Sequence, residues 1–352
     1  MITFKDGLTI GGNSPIRVNC NVGCNSKADI ESELSKLKFI QSCNELPDMM
    51  MDLSLIELDE PIYNFIKNNL GLPFGVVLSY QRFTKSRGLQ WEEVRDAFLR
   101  LCCDGISFIT IHFTADLDLF SRANQIRKIP VTSRGGGMVL YDSRINNRAQ
   151  KIFREHIDEI ADIALKHDVV ISLGTSFRPG TILDACDPIH IEETLRQLCI
   201  CKLLQSKGVK VMVENIGHIT LDKISTHSRL LKEFNAPIMP LGPLPTDAAI
   251  NEDHIANAIG ASFAAYIGCA HIINCVTRYE HSESAITQDV TIEAIRTAKV
   301  AAHIADLSRN INEANLHDTL ITNNRVKKHS CFAYSNNCTR CSIVCPLKLT
   351  SK

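Results

Sequence analysis

Residues 91–112, "WEEVRDAFLRLCCDGISFITIH", read as a helical pattern closed by a glycine and followed at once by a short apolar run that ends in a histidine. A helix leading into a buried strand is one βα repeat unit, and the same unit recurs on both sides. Residues 150–168, "QKIFREHIDEIADIALKHD", place Phe153, Ile157, Ile160, Ala161 and Ala164 on one helical face before the strand pattern "VVISLG". From His190, "HIEETLRQLCICKLLQSKG" carries helical periodicity and a basic last turn, with Gly208 suited to the C′ position, and "VKVMVE" follows. The strand candidates in order are "RVNCNV", "MMMDLS", "FGVVLSY", "ISFITIH", "IPVTS", "VVISLG", "VKVMVE", "PIMPLG" and "HIINCV". They exceed by one the eight of a (β/α)8 barrel, so one is expected to be a rim or entry strand. No G-x-G-x-x-G fingerprint follows the first strand, which argues against a dinucleotide-binding open sheet. The expected architecture is an α/β, (β/α)8 barrel over residues 1–290, a helical segment and linker over 291–330, and a cysteine-rich tail over 331–352.

Composition narrows the function. A net charge of -1 over 352 residues, with no Lys/Arg-rich block, argues against nucleic acid as a partner. The N-terminus lacks the apolar core of a signal peptide, and no run of about 18 uncharged apolar residues could cross a bilayer, so no membrane partner and a cytoplasmic location are expected. In that compartment the 14 cysteines are reduced thiols or metal ligands rather than disulfides.

Polar residues fall where strands end: Asn21, Asp52 and Ser54, Tyr80 and Gln81, His112, Ser133 with Arg134, Arg178, Glu214 with His218, and Asp247. In a barrel these positions share the C-terminal rim and line one pocket. Any one of them alone reads equally as a cap or turn residue; the repetition carries the argument. "TSRGGGM", residues 132–138, is a candidate anion cradle or a flexible loop, and "FRPG", residues 177–180, sets Arg178 at a turn. His218 in "VENIGH" and His281 in "RYEHSE" follow different strands, and two imidazoles on one rim can hold a divalent metal, although each alone is more often a satisfied polar residue. In "SNNCTRCSIVCPL", residues 335–347, Cys338, Cys341 and Cys345 can surround three irons of a cubane cluster and leave the fourth open. With Cys331 they could equally make a four-thiolate zinc site.

Taken together, "NCNVG", "MDLS", "TIH", "TSRGG", "SLGTSFRPG", "VMVENIGH", "LGPLPTD", "DHIANAIGA", "CVTRYEH" and "AAHIADL" resemble, in order, the phosphomethylpyrimidine synthase family of thiamine biosynthesis and its hydroxybenzimidazole synthase relatives. The resemblance implies a radical S-adenosyl-L-methionine carbon-carbon lyase that converts 5-aminoimidazole ribonucleotide to hydroxymethylpyrimidine phosphate. Carried across, Asn21, Met51, Tyr80, His112, Ser133, Arg134, Gly135, Arg178 and Glu214 bind the ribonucleotide, Arg178 and Glu214 being the catalytic pair. It further implies that His218 and His281 hold a divalent metal, zinc or iron, and that Cys338, Cys341 and Cys345 hold a 4Fe-4S cluster. An electron donor such as flavodoxin or ferredoxin, and a homodimer with exchanged C-terminal tails, complete the expected partners.

The chain departs from the family pattern inside the pocket. Thr175 and Ser176 stand where the family has Asp-Gly, Met239 replaces a Tyr, "AAINEDHI" replaces "APGYDHI", and the cysteine spacing is one residue shorter. Two alternatives therefore stand beside the thiamine reaction. One is 5-hydroxybenzimidazole synthesis for the cobamide (cobalamin-type) lower ligand, and the other a non-catalytic nucleotide- or metal-binding paralogue with a zinc tail.

Overall fold

A computed structural model of the chain describes residues 1–148, 151–283, 286–328, 330–334 and 338–350. Gln150 of the second helical stretch and residues 335–337, 351 and 352 of the cysteine tail lie outside the described residues. The chain divides into two units, Met1–Ala305 and Asp306–Lys352.

The first unit is a (β/α)8 barrel. Its strands are β1 (Arg17–Val22), β2 (Met49–Asp52), β3 (Phe74–Val77), β4 (Phe108–Ile111), β5 (Val170–Leu173), β6 (Val211–His218), β7 (Ile238–Leu244) and β8 (Ile272–Asn274). All pair in parallel in chain order, and β8 returns to β1. Between β7 and β8 no ladder forms. The seam is joined by the His271 N–H on Ile238 O at 2.8 Å, the Ile238 N–H on His271 Nδ1 at 3.1 Å, and Asn274 Nδ2 on Pro240 O at 2.9 Å.

Side chains alternate across each strand as the pleat requires. Met50, Ile109, Ile171 and Val213 face the helical layer, while Met49, Met51, Phe108, Val170, Met212, Met239 and Ile272 fill the barrel interior. Phe4 and Ile10, from a small antiparallel pair Ile2–Thr3 and Thr9–Ile10, join that interior cluster. Phe4 stacks on Phe108 with ring centroids 5.6 Å apart. Because Phe108, Val170 and Ile272 are the first residues of their strands, this hairpin plugs the N-terminal end of the barrel.

Helices such as Trp91–Asp104 and Ile157–Lys166 wrap the outside, each with one apolar face down. Trp91–Asp104 buries Trp91, Val94, Phe98 and Leu101, and ends where Gly105 takes a positive φ of 93°. Burial of each such large side chain contributes about 1.5–3 kcal/mol, and Phe98→Ala would cost about 3–5 kcal/mol. Residues 152–166 are two helices, Ile152–Glu155 and Ile157–Lys166, interrupted at His156.

One strand expectation fails. "IPVTS", residues 129–133, forms no strand, because Lys128 and Ile129 give their N–H groups to the Asp184 carboxylate at 3.0 and 2.9 Å and Pro130 has none to give. "TSRGGGM" is likewise not a loop. Ser133 is the N-cap of a helix, Arg134–Ile145, accepting the Gly136 N–H at 3.0 Å, and the glycines form its first turn.

In the second unit a helix, Asn312–Lys328, precedes the cysteine segment. There a 3-10 turn, Ser342–Val344, lies between Cys341 and Cys345 and leads into a short helix, Pro346–Leu349. Among the described residues no helix is long and apolar enough to cross a membrane.

Candidate active site

The barrel interior changes character along its axis. The apolar layer gives way, toward the strand C-termini, to Asn19 and Asn21 on β1, Thr110 on β4, Ser172 on β5, Glu214 on β6 and Asn274 on β8. Above this polar layer lies a cavity of about 530 Å³. Asn21, Met51, Tyr80, His112, Ser133, Arg134, Arg178, Glu214, His218 and His281 all line it. Gly135 stands behind His112, where a Cβ on either Gly135 or Gly174 would collide with the imidazole ring.

One side of the cavity suits an anion. The helix Arg134–Ile145 points its N-terminal end at it, and unpaired first-turn N–H groups with the helix dipole favour negative charge. Arg134 adds a guanidinium 5.7 Å from the Tyr80 ring centroid. Arg178 makes no ion pair among the described residues; its Nη1 donates to Thr175 O at 3.3 Å. Ser133 Oγ accepts from Gly136 N–H and shares a hydrogen bond with His112 Nε2 at 2.9 Å. His112 Nδ1 is a buried atom with no hydrogen-bond partner among the described residues. Burial, reinforced by the Arg178 charge, lowers the His112 pKa to about 3, so the ring is neutral.

Glu214 is buried on the cavity floor, its Oε1 accepting from Thr110 Oγ1 at 2.6 Å and Ser172 Oγ at 3.2 Å. Burial raises its pKa, opposed by the Thr110 hydrogen bond and the charge of Arg178. Thr175 is fully buried and donates its hydroxyl to the main-chain oxygen of Glu214 at 2.7 Å. Met239 belongs to the apolar interior.

The opposite side carries the two histidines, their rings 5.0 Å apart at 71°. His218 Nδ1 meets Asp247 Oδ1 at 2.7 Å, and His281 Nδ1 meets Asp253 Oδ1 at 3.0 Å. A carboxylate accepts only from N–H, so each ring carries a proton on Nδ1 and Nε2 is the nitrogen left for a metal. Burial lowers the His218 pKa against the raising effect of Asp247, keeping the ligand form. Two imidazoles, each backed by a carboxylate at Nδ1, make a donor set that fits a divalent metal. The tail fits an iron-sulfur cluster by its donor set: Cys338, Cys341 and Cys345 are free thiols spaced around one tight turn, as is Cys331 upstream.

Several rim residues serve the scaffold. Asp52 accepts from Ser54 N and Oγ and from Tyr63 N, and lines, with Ser54 and Gln81, a separate cavity of about 430 Å³. Its Arg82 and Glu57 already satisfy each other at 2.6 and 2.9 Å. Cys186, His190 and His227 also cluster. There His190 Nδ1 accepts the Cys186 N–H, and both Nε2 atoms reach Asn215 Oδ1, at 3.3 and 3.0 Å, so the rings are held in a buried hydrogen-bond network.

Other supporting residues escape sequence reasoning. Glu193, wholly buried, accepts from Thr114 Oγ1, Ser176 N and Phe177 N at 2.7, 2.6 and 2.7 Å and so fixes the segment that carries Arg178. Asn19 bridges Asn21 and Asn274 at 2.8 and 2.7 Å. Asp253 was visible only as part of "DHIANAIGA"; its place in the first turn of the helix Asp253–Tyr266 is its one local signal.

A parallel (β/α)8 barrel whose C-terminal rim gathers cationic, carboxylate and imidazole side chains around one cavity has the build of a (β/α)8 enzyme with a small-molecule pocket. Residues 3–352 match the Radical SAM ThiC family. The chain is 35% identical over 317 residues to phosphomethylpyrimidine synthase of Carboxydothermus hydrogenoformans, covering 87% of this chain and 72% of that protein. It is 33% identical over 311 residues to the Pyrobaculum aerophilum enzyme of the same name, covering 85% and 71%. Among solved structures, a dihydropteroate synthase from Coxiella burnetii in complex with pteroic acid shares the fold, with TM-score 0.50, 12% identity, and coverage of 85% of this chain and 94% of that one. The chain belongs to the radical S-adenosylmethionine ThiC family. Membership implies a 4Fe-4S cluster and S-adenosylmethionine.

Proposed function

We propose that the chain is a lyase that rearranges 5-aminoimidazole ribonucleotide to hydroxymethylpyrimidine phosphate. The observation that carries this reading is the convergence of Arg178, the helix Arg134–Ile145 N-terminus and Glu214 on one cavity of about 530 Å³. Arg178 and the helix N-terminus hold the phosphate by charge and N–H donation. His112, neutral and hydrogen-bonded to Ser133, forms the cavity wall beside that helix N-terminus. Glu214, its pKa raised by burial, holds or releases a proton as the ring is rebuilt. Met51 and Tyr80 shape the apolar wall and exclude water, and Asn21 is kept in register by Asn19. His218 and His281 hold the divalent metal. When bound by Cys338, Cys341 and Cys345, the cluster together with S-adenosylmethionine supplies the radical that starts the reaction.

The test is anaerobic reconstitution followed by incubation with S-adenosylmethionine, reductant and 5-aminoimidazole ribonucleotide. The expected products are methionine, 5′-deoxyadenosine and hydroxymethylpyrimidine phosphate, with KM raised in Arg178→Ala. A cluster-loaded enzyme that forms no 5′-deoxyadenosine on adding substrate overturns the reading. One observation favours a second reading with the same substrate and another heterocycle, such as 5-hydroxybenzimidazole. Thr175 and Met239, which replace two polar residues of the family pattern, present no polar group to the cavity. Product analysis in the same incubation separates the two.

A further inference from the structure

We propose that Asp247 and Asp253 are the positioning residues of the divalent-metal centre at His218 and His281, an inference that rests on the metal reading above. Each carboxylate spends one oxygen on an imidazole Nδ1 and is locked by the other. Asp247 Oδ2 accepts from Thr181 Oγ1 at 2.6 Å and from Ile182 N at 3.0 Å. Asp253 Oδ2 accepts from His281 N at 3.3 Å. Neither carboxylate can swing away without losing a second bond, so the plane of each ring is set before any ion arrives.

The charge balance points the same way. Asp247 pairs only with His218, and Asp253 only with His281; neither meets a Lys or Arg among the described residues. Two carboxylates thus stand behind two imidazoles in edge-on contact. A divalent ion on the Nε2 side offsets both charges, and a carboxylate behind a ligating imidazole raises its basicity and fixes its tautomer. The residues come from separate parts of the rim: His218 ends β6, Asp247 and Asp253 follow β7, His281 follows β8, and Thr181 follows β5. His218 N–H also donates to Pro179 O at 3.0 Å. Asp247 therefore ties the metal centre to the 178–182 segment that carries Arg178.

The experiment titrates Co(II) alone into the full-length chain carrying Cys331→Ser, Cys338→Ser, Cys341→Ser and Cys345→Ser, so that tail thiols do not compete, and follows the visible Co(II) band. Asp247→Asn and Asp253→Asn keep shape and an acceptor oxygen but remove the charge. Each is expected to weaken Co(II) binding by about 10- to 100-fold. Thr181→Val, which leaves both histidines and both aspartates in place, is expected to weaken it less. Metal-free unfolding midpoints establish that each variant is folded. Affinities equal to the parent's in folded Asn variants and in Thr181→Val overturn the inference and leave the aspartates as hydrogen-bond partners only. A parent with no Co(II) band that His218→Ala and His281→Ala abolish instead overturns the metal reading itself, and this inference with it.

Discussion

Thr175 shows how a single position constrains its own reversal. Its hydroxyl is the donor to Glu214 O at 2.7 Å in a site with no solvent exposure. The Asp of the family pattern would bury a carboxylate against a carbonyl oxygen that has lost its donor. Thr175→Asp is predicted to lower the unfolding free energy by about 1–3 kcal/mol in chemical denaturation, while Thr175→Ser, which keeps the donor, retains most of it. An unchanged midpoint in Thr175→Asp would count against the role given to this bond. His112 sets a pH dependence. Its native pKa of about 3 lies below the value of about 6.5 for an exposed imidazole, so between these the unfolded chain takes up a proton that the native ring refuses. Its contribution is complete above about pH 6.5 and is lost as pH falls toward about 3. His227, lowered by burial to about 4, and His190, lowered by burial and by His227, act in the same direction. Glu193 and Glu214, raised by burial, act oppositely, since the native state holds their protons longer as pH rises. Denaturation midpoints measured from about pH 7 down to about pH 4.5 should therefore fall less steeply in His112→Asn than in the wild type.

At the level of elements, the helix Pro188–Ser206 does more than cover the sheet, because Glu193 reaches from it to hold the Ser176 and Phe177 amides. In Glu193→Gln one oxygen becomes an NH2 facing those N–H donors. The predicted cost is about 1–3 kcal/mol of stability, with KM for the anionic substrate raised more than kcat is lowered, as steady-state kinetics would show. No sequence signal marks this residue, since a glutamate beside Glu192 on a helix reads as solvated surface. The strands were legible because both their faces are buried, which leaves continuous apolar runs. "IPVTS" has the same look, and the N–H groups of its first residue Ile129 and of Lys128 before it are taken by Asp184, 55 and 56 positions away, which no local pattern reveals. The glycines of "TSRGGGM" have poor helix propensity, and the helix forms because Ser133 caps it and Gly136 packs on Ser176. His218 and His281 could be paired from sequence because barrel topology sends every strand end to one rim, whereas their aspartates sit in connections whose course the repeat does not fix.

For the whole molecule, the division at Ala305 and Asp306 separates a barrel that buries its core in one unit from a segment that carries the free cysteines Cys331, Cys338, Cys341 and Cys345. Anaerobically purified wild type is predicted to be brown and to contain iron and sulfide. Cys338→Ala, Cys341→Ala and Cys345→Ala together should abolish the colour, and zinc without iron in the reconstituted wild type would favour a four-thiolate site. The barrel also has one side unlike the rest. Along β7, Pro240 and Pro243 have no N–H to donate, and toward β8 the closure relies on His271 and on the Asn274 amide. Seven interfaces of the cylinder are woven from main chain, and the eighth is buttoned by a few contacts, of which the one from Asn274 borders the cavity. Hydrogen exchange should be faster at Ile238–Leu244 and Ile272–Asn274 than at Phe108–Ile111 and Val170–Leu173. A cylinder fastened so sparsely along one line has its seam as the place where it can part, while the remaining strands keep their register.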